Sequence, residues 1–421
     1  MNARRSRGAA LLAIVVLVLL AATAALAAAA HLSRQANRQS ETNTAAALAK
    51  AKAALIGFAA RYPEEHSRKV PGLLPCPDND NSGDAQGSCL SKNHGVLGRF
   101  PYRRLGLPEP FDGHGQCLWY ALAGSFKNNP WPDTLNWDSP GQFEIVDSAG
   151  RVLGGEEHSA VAVLFAPGRA LPGQTRPATA ANKRCPGSAS AAADLPAFLD
   201  RPYDDDLVGN VAFVHGLPDS GVNDALTWLT VDEIFAAVRR RPDFAANLDA
   251  LLDAAALALG AKLDATPPEP PSPTPLEQFL DAHAETTVGL RAHGRLPDAT
   301  TLGVADAWKD FYDNWRDQLR FVACTDGSAC LTATVAESAT AAGDATLETC
   351  RALVLFGGER RRGDEPQHRR NDAERADAAQ YLEGDNLASF TAGTGDYAGF
   401  RRYAIVDSNA PASEDLIRCV H

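Results

Sequence analysis

The chain has 421 residues, of which 45% are apolar, with 40 basic against 52 acidic side chains and a formal charge of −12. Such a length ordinarily holds two or three domains of about 100–200 residues, and the apolar fraction is enough to build real cores. The acidic balance, with its basic charge scattered, disfavours nucleic acid as the principal partner, because phosphate binding needs a clustered positive surface.

Residues 1–8, Met1-Asn-Ala-Arg-Arg-Ser-Arg-Gly8, form a short basic head, and 22 uncharged residues come next, Ala9 to Ala30. At 1.5 Å per residue that run spans about 33 Å, enough to cross a bilayer. Arg4, Arg5 and Arg7 keep the head in the cytoplasm, so everything later faces the periplasm. Beyond Ala30 no Pro or Gly occurs until Gly57, while Leu48, Ala51, Leu55 and Phe58 repeat at helical spacing. One helix over residues 9–62 is predicted, lipid-embedded at first and amphipathic later. Two other readings compete with it: a plain uncut anchor, and a cleaved secretory signal ending at Ala25-Leu-Ala27.

Eight cysteines lie beyond the helix: Cys76, Cys89, Cys117, Cys185, Cys324, Cys330, Cys350 and Cys419. An even number in a disulfide-permitting compartment, without Cys-x-x-Cys or His at zinc-finger spacing, reads as structural disulfides. Eight cysteines allow 105 pairings, so connectivity does not follow from the sequence. The proposed set is Cys76 with Cys89, closing a short polar loop, and Cys117 with Cys185, Cys324 with Cys330 and Cys350 with Cys419, from an internal repeat between the two halves of the chain. Inside the first loop, Asp78, Asp80, Ser82 and Asp84 surround Gly83 much as oxygen ligands do in a calcium loop. The twelfth position is Cys89, so the bidentate Glu is missing, and an Asx-rich turn without metal is the alternative. Trp131 and Trp137 in Asn128-Asn-Pro-Trp-Pro-Asp-Thr-Leu-Asn-Trp137 read either as a sticky patch for a partner or glycan, or as loop aromatics anchored on the core.

Further along, Thr230-Val-Asp-Glu-Ile-Phe-Ala-Ala-Val-Arg-Arg-Arg241 carries a capping box, Thr230 with Glu233, and Pro242 is expected to stop the helix. Helical sequence resumes over Ala245–Ala265 and Leu276–His293. Between them, residues 266–275 hold six prolines and predict an extended spacer. The halves on either side read as a repeat of one another, with chance similarity of Ala-rich sequence as the alternative. Gly98-Arg-Phe-Pro101 and Gln116–Ala123 match Gly294-Arg-Leu-Pro297 and Asp317–Ala323. Val161–Gly168 matches Ala352–Gly358, and Leu195–Asp200 matches Ala379–Glu383. Buried strands are expected at Leu118–Ala123, Ala160–Phe165, Leu319–Ala323 and Ala352–Phe356. The predicted class is therefore α+β: a long N-terminal helix, then two helix-plus-antiparallel-sheet modules over 63–265 and 276–421. Glu359–Arg370, basic but interrupted by acids, reads as a solvated loop.

No nucleophile elbow, zinc-protease motif, phosphate loop or dinucleotide fingerprint occurs. His94, His114 and His158 are dispersed, and Asp204, Asp205 and Asp206 read as an exposed loop, so no enzyme is expected.

The head, Gly8 and Ala9-Ala-Leu-Leu-Ala-Ile-Val-Val-Leu17 resemble the class III signal of type IV pilins and type II secretion pseudopilins. Ala54-Leu-Ile-Gly-Phe58, Pro71–Asp78, Gly98–Leu107 and Cys117–Ala121 are similar, in order and spacing, to large prepilin-like proteins of proteobacteria. Phe111–Tyr120 resembles a pseudopilin strand segment in which Trp usually stands where His114 does. The resemblance implies cleavage of the Gly8-Ala9 bond by a prepilin peptidase and methylation of Ala9. The usual first residue, Phe or Met, is Ala9 here, and the usual glutamate four residues on is Ala13. Losing that carboxylate is typical of tip subunits. The resemblance further implies a non-enzymatic minor pilin or pseudopilin of the bacterial inner membrane, crossing it once with the bulk periplasmic. It would prime or cap a filament through Leu48, Ala51, Leu55 and Phe58 with other minor pilins. No cofactor is required, and calcium is the ion the acidic loop would take. The alternative is a membrane-anchored periplasmic or surface adhesion protein unrelated to filaments.

Overall fold

The structure, a computed structural model, describes residues 3–66, 68–153, 160–216, 221–264, 273–340, 345–361, 366–369, 371–405 and 415–421. His158, most of the proline-rich spacer and several basic residues after Arg361 lie outside these.

Helix α1 runs unbroken from Ala3 to Glu65, past the predicted end at residue 62. Pro63 lies inside its last turn and cannot donate to the carbonyl of Ala59. That carbonyl accepts instead from the Gly72 amide at 3.0 Å, which turns the chain back onto the helix. Gly72 has φ +99°, and a Cβ there would lie 3.3 Å from the Phe235 ring, so glycine suits the turn on both counts. The stripe expected to meet other subunits is corrected here: Leu48, Ala51 and Leu55, with Ala59 and Tyr62, are buried in the chain's own core, and Phe58 is half-buried against it. Small residues at 51 and 59 let the sheet approach the helix axis.

The first sheet holds β1 (Gly95–Arg99), β2 (Trp119–Leu122), β3 (Phe143–Val146), β4 (Ala160–Ala166), β5 (Asp206–Leu207), β6 (Val211–Val214) and β7 (Ala225–Thr230). Its order is β5-β1-β2-β4-β3-β6, with β7 also on β4. Helix α2 (Ala191–Phe198) lies beside β1, and α1 crosses β4 and β7 next to α3 (Val231–Arg239). The capping box of α3 is present: Thr230 caps the Glu233 amide and Glu233 caps the Thr230 amide. Pro242 ends this helix as expected and also begins α4 (Pro242–Asp264) at once, because its fixed φ suits a first helical residue.

After α5 (Pro275–His283) come β8 (Thr286–Val288) and β9 (Arg291–Arg295). Two expectations are corrected here. The helix predicted over 276–293 ends at His283, since Thr286, Thr287 and Val288 are β-branched and Gly289, at φ +59°, turns them into a hairpin. Thr274 and Pro275, assigned to the spacer, are the cap and first turn of α5. Then come α6 (Ala299–Leu302), α7 (Lys309–Trp315), β10 (Leu319–Cys324), β11 (Leu331–Ser338), β12 (Thr346–Cys350), β13 (Ala352–Phe356), α8 (Asp372–Ala376), α9 (Gly384–Ala392), β14 (Asp396–Arg402) and β15 (Leu416–Val420). The second sheet runs β12-β11-β14-β15-β13-β10-β9-β8.

Antiparallel sheets are the expectation from sequence, and both sheets are instead mixed. β3 pairs parallel with β6, and β14 pairs parallel with β11 and, at one residue pair, with β15. Parallel partners need long crossovers, and these connections run through α2 in the first case and α8 and α9 in the second. Every residue of β2, β4, β10 and β13 is buried. That explains why β2, β4 and β13 read as continuous apolar runs instead of alternating ones; in β10 the run is interrupted by Arg320, itself buried. Four disulfides join Cys76 to Cys89, Cys117 to Cys185, Cys324 to Cys330 and Cys350 to Cys419, the same pairs as proposed from the sequence.

The two sheets share a three-strand unit. β1 pairs antiparallel with β2 and β2 with β4; likewise β9 with β10 and β10 with β13. Gly98 faces Tyr120 as Gly294 faces Phe321. Phe198, after the first strands, lies 5.6 Å from the Trp119 ring, and Tyr381 lies under Arg320 at 4.4 Å. Third-strand registers differ by one residue: Phe165 faces Trp119, whereas Phe356 faces Leu319. One continuous core nevertheless joins α1, both inner sheet faces and α4, and α4 lies against β13 and β15 of the second sheet.

Truncating Leu55 to Ala should lower the unfolding free energy of the detergent-solubilised chain by about 2–5 kcal/mol. The same change at Leu17, 69% exposed, should leave it unaltered. Denaturant unfolding of both variants checks this.

Candidate functional site

Three regions carry the side chains singled out by sequence: the free part of α1, the acidic loop, and the tryptophan segment. Along α1, Ile14 to Leu20 are 46–69% exposed, a contiguous apolar surface that none of the described residues covers. Gly8 and Ala9 lie on the same helix just ahead of it. A second long apolar helix, α4, is a core element with Leu248, Leu251, Leu252 and Leu259 all buried. Residues 31–43 of α1 are polar except for Leu32 and Ala36 and are exposed apart from half-buried Ser40, a stalk of about 20 Å. The head first grips the rod at Ser40 and Thr44. Ser40 Oγ donates to the Gly113 carbonyl at 2.8 Å, and the Gly113 amide donates to Thr44 Oγ1 at 2.9 Å. A Cβ at Gly113 would sit 2.0 Å from the Ser40 carbonyl oxygen, so the loop reaches the helix only as glycine.

In the acidic loop, Asp78 is buried and its carboxylate is turned inward. Oδ1 accepts the amides of Asp80 and Ser82 at 3.1 Å, and Oδ2 that of Gly83 at 2.7 Å. Asp80 Oδ1 accepts the Ser82 amide. Asn81, at φ +59°, donates to the carbonyls of Cys185 and Ser188. Lys183 approaches Asp80 and Arg103 approaches Asp84, at 3.9 and 3.8 Å. Among the described residues, Asp78, Asp80 and Asp84 do not gather their oxygens within 4.8 Å of one another. The group that does is Glu348, Cys419 and His421, but Cys419 is tied to Cys350 and has no thiolate to offer. Burial pushes the Asp78 carboxyl up to about 6, against the amide donors of Gly83, Ser82 and Asp80, which lower it.

The tryptophan segment is an anchor and not an open patch. Trp137 is buried among Trp315 (4.5 Å), Phe356, Phe244 and Tyr403, ring contacts typical of aromatic cores. Half-buried Trp131 is covered by the Arg68 guanidinium at 3.9 Å. Next to Trp137, Asp138 reaches into the second sheet. It pairs with Arg369 at 3.1 Å and Arg360 at 3.3 Å and accepts from Gln318. Arg369 also donates to the Gly358 carbonyl and to Gln318 Oε1, and lies over the Tyr381 ring at 4.3 Å. Asn136 donates to the Asn314 carbonyl at 2.6 Å.

Glu359–Arg370 is thereby corrected as a solvated loop: within its described part, Arg369 is buried and Arg360 nearly so, because Asp138, 231 residues away from Arg369, supplies the countercharge. Basic residues interrupted by acids gave no hint of it. A charged residue directly after a core Trp was the available signal.

His94 sits 3.0 Å from Asp206, and among the described hydrogen bonds no hydroxyl or thiol joins that pair. His114 contacts Ser40. Asp200 and Asp224 each accept the other's amide, at 2.8 and 2.9 Å. Burial first, and the Asp200 charge second, hold the Asp224 carboxyl well above the usual range. Comparison with family models, with curated proteins and with solved structures finds no match.

These environments make two outcomes testable. Replacing Asp138 with Ala leaves Arg369 and Arg360 buried without countercharge and should cost about 3–5 kcal/mol in denaturant unfolding. Asp78 should titrate near 6 and not at the ordinary value of about 4. Its folded pKa is raised, so the folded chain holds this proton more tightly than the unfolded one. Stability from this group is present below about pH 4 and is lost as pH rises through about 6. A carboxyl NMR titration midpoint checks the value.

Proposed function

We propose that the chain is a non-enzymatic, membrane-anchored subunit of the minor pilin or pseudopilin kind, held in a bacterial inner membrane by residues 9–30 and able to prime or cap a filament. The observation that carries this reading is α1 itself: one helix whose exposed first part is apolar over a bilayer's thickness and whose last part is the buried spine of the head. A removable leader has no need to share a helix with the core. A rod that stays attached does, because pulling on or packing the apolar end then moves the head as one body. In this account the prepilin peptidase cuts at Gly8-Ala9. Leu48, Ala51 and Leu55 hold the head to the rod, and sibling subunits pack against the free apolar surface.

A head of this size, with two mixed sheets on one rod, does not suit repeated stacking, which favours a terminal position. The shared three-strand unit, and the placing of Phe198 and Tyr381, support a reading of the sheets as two related modules fused on a common core. A second reading, a stand-alone surface binding protein with an ordinary anchor, draws on the polar stalk at residues 31–43, which offers neighbours no apolar stripe. Calcium at the acidic loop would require Asp78 to give up its amide donors in part.

Co-expression with a prepilin peptidase tests the proposal. Intact mass should show loss of residues 1–8 and gain of one methyl group on Ala9, and a Gly8→Asp variant should stay uncut. An unprocessed chain in the presence of active peptidase contradicts the filament reading and leaves the plain anchor.

A further inference from the structure

A cleft of about 320 Å³ opens where α5 turns into β8, beside the end of β9 and the turn after α7; His283, Glu285, Arg295, Pro297, Arg316 and Asp317 line it. The size is at the lower end of small-ligand sites, fitting an amino-acid side chain or a chain end. Its charges are unequally satisfied. Arg295 is paired with Glu285 at 2.7 Å, and Asp317 lies 3.8 Å from Arg375. Among the described residues, Arg316, half-buried at the wall, has no ion pair within 4.0 Å and its guanidinium donates no hydrogen bond; Asp298 acts on it only through longer-range charge. Elsewhere in this half of the chain the enclosed arginines find partners: Arg320 and Arg369 donate to carbonyls and stack on Tyr381. Its donors stay open to water at the cleft wall, so a planar acceptor with two oxygens can reach the guanidinium edge without displacing a protein partner.

We propose that this cleft binds a carboxylate, held by the Arg316 fork with Arg295 at its side. A carboxylate matches the flat, two-pronged guanidinium edge. Glu285 and Asp317 also line the cleft and oppose any anion there, a doubly charged phosphate about twice as strongly as a carboxylate, so a single negative charge is favoured. Burial keeps His283 below its ordinary pKa, so at neutral pH it contributes a hydrogen bond and no charge. The ligand's remainder lies against Leu296 and Pro297. Its source is either an acidic side chain or a C-terminus of a bound polypeptide. The proposal stands whether or not α1 enters a filament.

The test titrates the full-length chain in detergent with acetate, with glutamate capped at both ends, with a capped tripeptide bearing a free C-terminus, and with inorganic phosphate, followed by calorimetry and NMR shifts. Saturable binding of a carboxylate is expected, weakened on the order of tenfold in Arg316→Ala and in Arg316→Gln and unchanged in Lys309→Ala. Tighter binding of capped glutamate assigns an acidic side chain as the source, and tighter binding of the tripeptide assigns a chain end. Absence of saturable carboxylate binding, phosphate binding tighter than every carboxylate, or unaltered affinity in both folded Arg316 variants would overturn it.

Discussion

Backbone continuity along α1 sets the terms for everything else in the molecule. A helix transmits position and torque along its axis because each turn is bonded to the next, and no break separates the exposed apolar residues around Leu17 from the buried ones around Leu55. The apolar end must leave water, by entering lipid or by packing on like helices. Wherever it goes, the head goes too, with a fixed orientation and a stalk of about 20 Å between. Ser40, Thr44 and Gly113 mark the point at which free rod becomes core, and Gly72 with Pro63 marks where the rod hands over to the sheets.

Above that junction the head is welded and not strung. A proline-rich segment between two halves ordinarily separates domains, yet the aromatic cluster around Trp137 and Trp315 and the Asp138–Arg369–Arg360 network bridge the sheets directly. The network is a buried ionic group, weak as a source of net stability but costly to break on one side, and therefore suited to fixing one mutual arrangement. The head behaves as a single body on its stalk.

The features legible in the sequence and those hidden in it divide along a physical line. Signals within a few residues were legible. The α3 capping box, the four short buried strands, the even cysteines and the helical stripe on α1 each depend on local spacing, and each has its counterpart in the structure. Interactions set by long-range placement were not. Asp138 meets Arg369 only because two sheets close on one another, so the basic stretch around Arg360 looked solvated. The hairpin at Thr286–Arg295 was hidden by helical composition on either side of three β-branched residues. The parallel pairings of β6 and β14 depend on crossovers that no short motif announces. Arg316 carries no motif, and that it forms no ion pair among the described residues is visible only once its neighbours are seen to bond elsewhere. The acidic loop lies between these cases: spacing marked it as an oxygen-rich turn, but the inward rotation of Asp78 onto three amides is decided by burial.

The claim on which the account rests is that the apolar rod remains joined to the head in the working protein and sits in lipid. Alkaline washing of membranes from cells making the native chain, followed by terminal sequencing of the retained and released material, addresses it most directly. The account predicts that the head sediments with the washed membranes and that its polypeptide begins ahead of Leu12. A head released into the soluble fraction and beginning near His31 would contradict it.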